Sequence, residues 1–192
     1  MISRKTYFTL TKLDVDSHSA LRRRDQLPFP SREGRNEYTL FDAFTVLLAD
    51  DFAQSPDGMG MNRTAATNIV RDIGRLLIEC RDEIEAGSEL GAANPIFAGK
   101  IWGQIGIGNV PFCGTLLEFA ELDYAPSIIR HAFVNVSLAF AAFRMRCGYN
   151  DVDMTDMWPE AENISSFEDI REKRLERVRE AVAKTNEKRR NQ

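Results

Sequence analysis

The chain has few of the residues on which most enzymes and metalloproteins depend. Among 192 residues there are two histidines and three cysteines. Cys80, Cys113 and Cys147 lie far apart, each inside an apolar stretch. Their spacing does not suit a zinc site, and an odd, scattered set of thiols predicts three reduced, buried cysteines in a cytoplasmic protein. No apolar run approaches the ~20 residues of a membrane helix. The start, from Met1 to Tyr7, lacks the apolar core of a secretory signal.

The motifs of common catalysts are missing too. There is no GxSxG, HExxH, P-loop or CxxC. His18 and His131 fall in different segments, and His131 precedes an apolar run, so it reads as a packed residue rather than a base. The stretch WGQIGIGN, Trp102 to Asn109, holds three glycines. A dinucleotide fingerprint needs its glycines between a strand and a helix. Here a second strand-like segment with Pro111 follows, which predicts a hairpin turn. Asp151, Asp153 and Asp156 have a hint of calcium-loop spacing without the loop glycine or the closing glutamate, and read as a solvated loop. The expectation is therefore no catalysed reaction, no cofactor and no metal.

What is present is a core and an uneven charge distribution. The composition is 43% hydrophobic and 28% charged, enough for one large domain or two small ones. The net charge of −4 hides a division. Residues 1–40 hold eight basic and five acidic side chains, residues 41–160 hold eight and seventeen, and residues 161–192 hold nine and seven. A basic head thus precedes an acidic body. A nucleic-acid surface needs only a local positive patch, because phosphate attraction is screened beyond ~8–10 Å.

Residues 6–13 form a short apolar element, a strand or a brief helical turn. Asp16 or Ser17 then suits the N-cap of a short helix that ends before Leu27 and Pro28. FPSREGRNEYTLF reads as a hairpin or extended loop with Arg32 and Arg35 at its tip. Thr39 and Asp42 make a capping-box-like start to a helix over about 40–54, and a second amphipathic helix follows over about 62–86. GSELGAANP, residues 87–95, reads as a domain boundary. Segments 95–103, 110–122 and 131–136 look like strands, with Ser137 capping a helix through Tyr149. An acidic loop follows. Ser166 and Asp169 resemble another capping box, opening a charged helix with Ile170, Leu175, Val178 and Val182 on a thin apolar seam.

The order of the head resembles the winged helix-turn-helix of MerR-like regulators. Leu21-Arg22 matches that family's Leu-Arg step and Leu27-Pro28 its exit. Arg32 to Glu37 matches the wing. Tyr38, with Leu40, Phe41 and Asp42, matches the re-entry. The helices over 40–54 and 62–86 match those after the wing, so the resemblance covers residues 6–86. The chain departs from the family pattern in three ways. Arg23 and Arg24 stand where aromatics are usual, the first helix-turn segment is shorter, and no effector domain is recognisable after residue 95. In style the chain is similar to small MerR-like proteins of phages and mobile elements.

The resemblance implies an α+β protein. It would have a winged helix-turn-helix over 1–90, a small strand-containing α+β domain over 95–158 and a charged helix over 163–190. The implied function is sequence-specific binding of double-stranded DNA, as a homodimer, to regulate transcription or recombination. The implied contacts are Arg22, Arg23 and Arg24 on the recognition helix, Ser17, His18 and Ser19 near its start, and Arg32 and Arg35 on the wing. Successive helical residues point ~100° apart, so the three arginines cannot all read bases. Three rival expectations stand beside this one. The arginines are a solvated face paired with Asp25, Asp14 or Glu33; or the protein is an adaptor or inhibitor that binds a protein partner through its acidic body or C-terminal helix; or it is an enzyme with a ligand site in the glycine-rich hairpin, over 102–114.

Overall fold

The computed structural model describes residues 1–30, 38–54, 58–103, 109–121 and 128–160. Arg32, Arg35 and the charged helix expected over 163–190 lie outside the described residues.

Residues 6–13 belong to a helix rather than a strand. This is α1, Arg4–Thr11, which starts where the Ser3 side chain accepts the Thr6 N–H. It ends at Lys12, which adopts the left-handed conformation with φ 57°. The three residues Lys12, Leu13 and Asp14 then lead into α2, Val15–Arg23. The N-cap is Asp14, not Asp16 or Ser17, because the Asp14 carboxylate reaches the Ser17 N–H. Helix α3, Leu40–Ala53, opens with the expected capping box, with Thr39 and Asp42 each satisfying the other's backbone. Helix α4, Arg63–Glu79, is strongly amphipathic. The single helix expected to run to Ala86 is interrupted at Cys80, and α5, Arg81–Gly87, follows, while the expected apolar stripe holds, with Cys80 and Ile84 both buried.

Beyond α5 a three-stranded antiparallel sheet has the order β2-β1-β3. Its strands are β1, Phe97–Gly103, β2, Asn109–Gly114, and β3, Ile128–Asn135. Ala98 faces Cys113 on one side and Val134 on the other. Gly99 lets the strands approach closely, because a Cβ there would collide with the Ala132 carbonyl. The strand expected to run on to residue 122 stops at Gly114. There a second capping box, Thr115 with Glu118, starts the short helix α6, Leu116–Ala120. Helix α7, Val136–Tyr149, is capped by Asn135 rather than Ser137. The Ser137 hydroxyl is buried and accepts the Ile96 N–H at 2.9 Å, stitching α7 to the entry of β1.

The chain is a mixed α and β protein with one continuous main core. Buried side chains from Tyr7 to Met157 form a single cluster that takes in α1, α3, α4, the sheet and α7. One face of the sheet, with Ala98, Cys113 and Val134, joins that cluster. The other face carries a small cluster of Ile101 and Phe112, with Phe119 of α6 packed on it. All three cysteines are buried and none forms a disulfide. The acidic loop after α7 is only half solvated. Its Asp151, Asp153 and Asp156 are exposed. Met157 is buried, and Trp158 stacks on Phe140 at 5.4 Å between ring centroids. Among the described residues no helix is long and apolar enough to cross a membrane.

Candidate nucleic-acid interface

The head residues converge on α2. Helical geometry puts Val15, Asp16, Ser19, Arg22 and Arg23 on one side of this helix and His18 with Leu21 on the other. The burial follows that division. Val15, Asp16, Ser19, Arg22 and Arg23 are exposed, Leu21 is partly buried and His18 is 5% exposed. Arg24 is also exposed but sits at the helix end, turned away from that side.

His18 is thus placed differently from the expected phosphate contact. Its ring lies edge-on to Tyr7, Phe8 and Tyr38, at centroid distances of 5.6, 5.4 and 5.7 Å. Tyr7 and Tyr38 stack on each other at 3.9 Å. This aromatic nest fixes the rotation of α2 on the core and therefore which side chains face solvent. Burial, and after it the guanidinium groups of Arg4 and Arg22, lower the His18 pKa and favour the neutral ring. The Tyr38 backbone also bridges to that of Ile2 just before α1.

The exit of α2 is locked from outside. Asp25 adopts a left-handed conformation with φ 51°. Arg71 of α4 binds both Asp25 carboxylate oxygens, at 3.1 and 2.7 Å, and donates to the Leu27 carbonyl at 2.7 Å. Those hydrogen bonds, with the charge behind them, hold the Asp25 carboxyl below its usual range. Thr67 donates to the Gln26 carbonyl, and Gln26 donates to Thr64. The turn after α2 is therefore bolted to α4. Asp25, one of the carboxylates expected to neutralise the arginines, is committed to Arg71. Among the described residues no carboxylate forms a salt bridge with Arg22, Arg23 or Arg24.

The start of α2 has the opposite character. Hydrogen bonds from Ser17 lower the Asp14 pKa, so this carboxylate is charged, and Asp16 is exposed beside it. The Ser17 hydroxyl donates to Asp14, and the Ser19 hydroxyl donates to the Val15 carbonyl at 2.7 Å. The serines are at the surface, as expected, with their protons used inside the helix. The helix thus grades from an acidic start to a cationic end. A residue that the sequence reading overlooked joins the cationic end. Arg4 of α1 lies over the Phe8 ring at 5.3 Å and near enough to His18 to affect it, as Arg22 does. Its signal in the sequence is the basic pair Arg4-Lys5 at the head of the first apolar element.

Elsewhere the described residues gather little chemistry. No group of three or more His, Cys, Asp and Glu side chains among them is placed to hold a metal ion. Asp153 accepts the Thr155 N–H and hydroxyl, which accounts for part of the acidic loop's pattern. His131 stacks on Phe133 at 5.0 Å. In comparisons with known proteins, no family model matches the chain, and no curated protein or solved structure matches it.

Proposed function

We propose that the chain binds double-stranded DNA through α2, as a sequence-specific regulator of transcription or recombination. In this reading α1, the three-residue turn and α2 are a helix-turn-helix, and the segment 31–37 is a wing carrying Arg32 and Arg35. The observation that carries the reading is the locked helix with Arg22 and Arg23 on its open side. A major-groove reader needs a helix held rigidly by its scaffold, with long donors facing outward.

The grading of α2 assigns the roles. Arg22 or Arg23 makes a bidentate contact to guanine O6 and N7. Arg24 and Arg4 meet flanking phosphates. Ser19 and Val15 lie one and two turns back on the same face, where a hydroxyl or a methyl group meets base edges. The charged Asp14 and Asp16 keep the helix start away from the phosphate backbone and are suited to the amino group of cytosine. His18 positions the helix and touches no DNA. As a homodimer the protein reads two half-sites about one helical turn apart.

The test is duplex binding across salt concentrations. Affinity falls linearly on a log–log plot with a slope of about −0.9 for each phosphate neutralised, and Arg24→Ala reduces the slope by about 1. Failure to bind duplex DNA even at low salt overturns the reading and transfers interest to the acidic body as a protein-binding surface.

A further inference from the structure

A groove of about 620 Å³ lies between α5, the segment leading into β1, and α6. Its apolar lining includes Ala86, Ala93 and the buried Ile96. Its rim carries Asp82, Glu83 and Glu118, and none of its lining side chains is basic. Leu117, on its wall, is 68% exposed. A concave apolar surface under an acidic rim, with a large side chain left in water, fits an amphipathic basic segment.

The path of the chain points to which segment that is. Trp158 donates its indole N–H to Glu85 of α5 at 2.6 Å and stacks on Phe140. Helix α5 is the same helix that gives the groove Asp82, Glu83 and Ala86. The last 32 residues of the chain therefore start beside the groove. Helix α5 is seven residues long, roughly 10 Å at 1.5 Å per residue, so a handful of extended residues crosses it. In those 32 residues Ile170, Leu175 and Val178 are interleaved with five basic side chains, Arg171, Lys173, Arg174, Arg177 and Arg179, against three acidic ones, Glu172, Glu176 and Glu180. That is the chemistry the groove asks for, apolar toward the lining and basic toward the rim.

A second copy of the chain is a poorer occupant. Stable association between separate molecules buries about 1,200 Å² or more in total, a requirement that a tethered segment escapes. A tethered segment meets the groove at an effective concentration of about a millimolar. We propose that residues 161–192 dock in the α5–α6 groove of their own chain, with the apolar side of the Ile170–Val182 stretch on its apolar lining and the neighbouring arginines on its rim. The proposal stands independently of the DNA reading.

The test uses the full-length protein with a photoreactive benzoylphenylalanine in place of Leu117. Irradiation, digestion and mass spectrometry are expected to show cross-links to peptides of residues 165–185 within one chain, with a yield independent of protein concentration. Asp82→Lys/Glu83→Lys lowers the yield severalfold, as does Arg174→Glu/Arg177→Glu, and combining the two reversals restores it. Recovery in the combined variant separates lost docking from lost folding. Cross-links between chains in a mixture of isotopically light and heavy protein would mean that the occupant is a second copy. Cross-links that avoid 161–192, or reversals that leave the yield unchanged, would also overturn the proposal.

Discussion

Two groups of arginines occupy this molecule and do opposite things. Arg63, Arg71 and Arg146 point inward and bind protein oxygens. Arg63 pairs with Asp50, Arg71 clamps Asp25 and Leu27, and Arg146 donates to the Leu10 carbonyl at the end of α1. Arg22, Arg23 and Arg24 are exposed and form no salt bridge among the described residues. Arg71 and Arg146 fix the ends of α2 and α1 to the body, Arg63 ties α4 to α3, and the outward group is carried on α2 and its end. Charge count alone does not separate them. An arginine acts as scaffold or as ligand contact according to whether a carbonyl or carboxylate of the fold already meets its fork.

The contrast is broken most severely at Arg63. Arg63→Ala leaves the partly buried Asp50 without its partner, and loss of one partner of a buried pair costs about 3–5 kcal/mol. A denaturant titration should show the midpoint falling by that free energy divided by the slope, with the slope unchanged. The Asp50 carboxyl is already raised by burial, which outweighs Arg63 beside it. Asp51 is pushed up to about 6, by partial burial first and by Asp50 second, although its side chain reaches solvent.

Next comes the clamp. Arg71→Ala takes donors from the carbonyl of Leu27, a residue 5% exposed, and is expected to cost about 1–3 kcal/mol. Arg71→Lys rescues part of the stability and little of the geometry, because a single ammonium lacks the planar fork that holds both Asp25 oxygens and the Leu27 carbonyl at fixed angles. The account predicts that this variant keeps Arg22, Arg23 and Arg24 and still loses sequence preference in DNA binding. Full preference in Arg71→Lys would show that the clamp does not position α2.

His18 gives a smaller effect with a definite sign. Its pKa in the folded state is lowered from the ordinary value of 6.5. Below that value the unfolded chain takes up a proton that the folded chain refuses, so stability falls as pH drops through it. Asp50 and Asp51, raised in the folded state, act in the opposite sense. The decisive quantity is therefore the difference between wild type and His18→Phe. Melting measured from about pH 8 to about pH 5 is expected to show the wild type losing stability relative to the variant on the acid side. A constant difference would contradict the buried neutral ring.

Smallest in stability is the outward group. Replacing Arg22, Arg23 and Arg24 with alanine is expected to move folding by no more than about 0.5 kcal/mol, as for exposed surface positions.

The sequence made some of this arrangement legible. The Thr39–Asp42 capping box, the stripes of α3 and α4 and the pairing of the two strands beside the glycine-rich segment are local patterns, and each formed where its pattern lay, while residues 104–108 of that segment lie outside the described residues. Misreadings arose where a local signal had two outcomes. Leu116 to Ala120 is apolar enough for a strand, but the Thr115–Glu118 capping box made it a helix. Ser137 looked like a cap, yet its hydroxyl serves the Ile96 backbone forty-one residues away in sequence. In the candidate site the exposure of Arg22 and Arg23 followed from the helix, while the inward turn of His18 and the grip of Arg71 on Asp25 depend on contacts distant in sequence. Periodicity of α2 alone does not say which of its sides meets Tyr7 and Tyr38.

The central claim is that α2 is a locked helix whose outward arginines read DNA. Selection of duplexes from a random-sequence pool, by wild type and by Arg22→Ala/Arg23→Ala/Arg24→Ala, tests it most directly. The account predicts that wild type enriches a defined motif and that the triple variant, equally folded, enriches none. Enrichment of the same motif by both proteins, or of nothing by either, would contradict it.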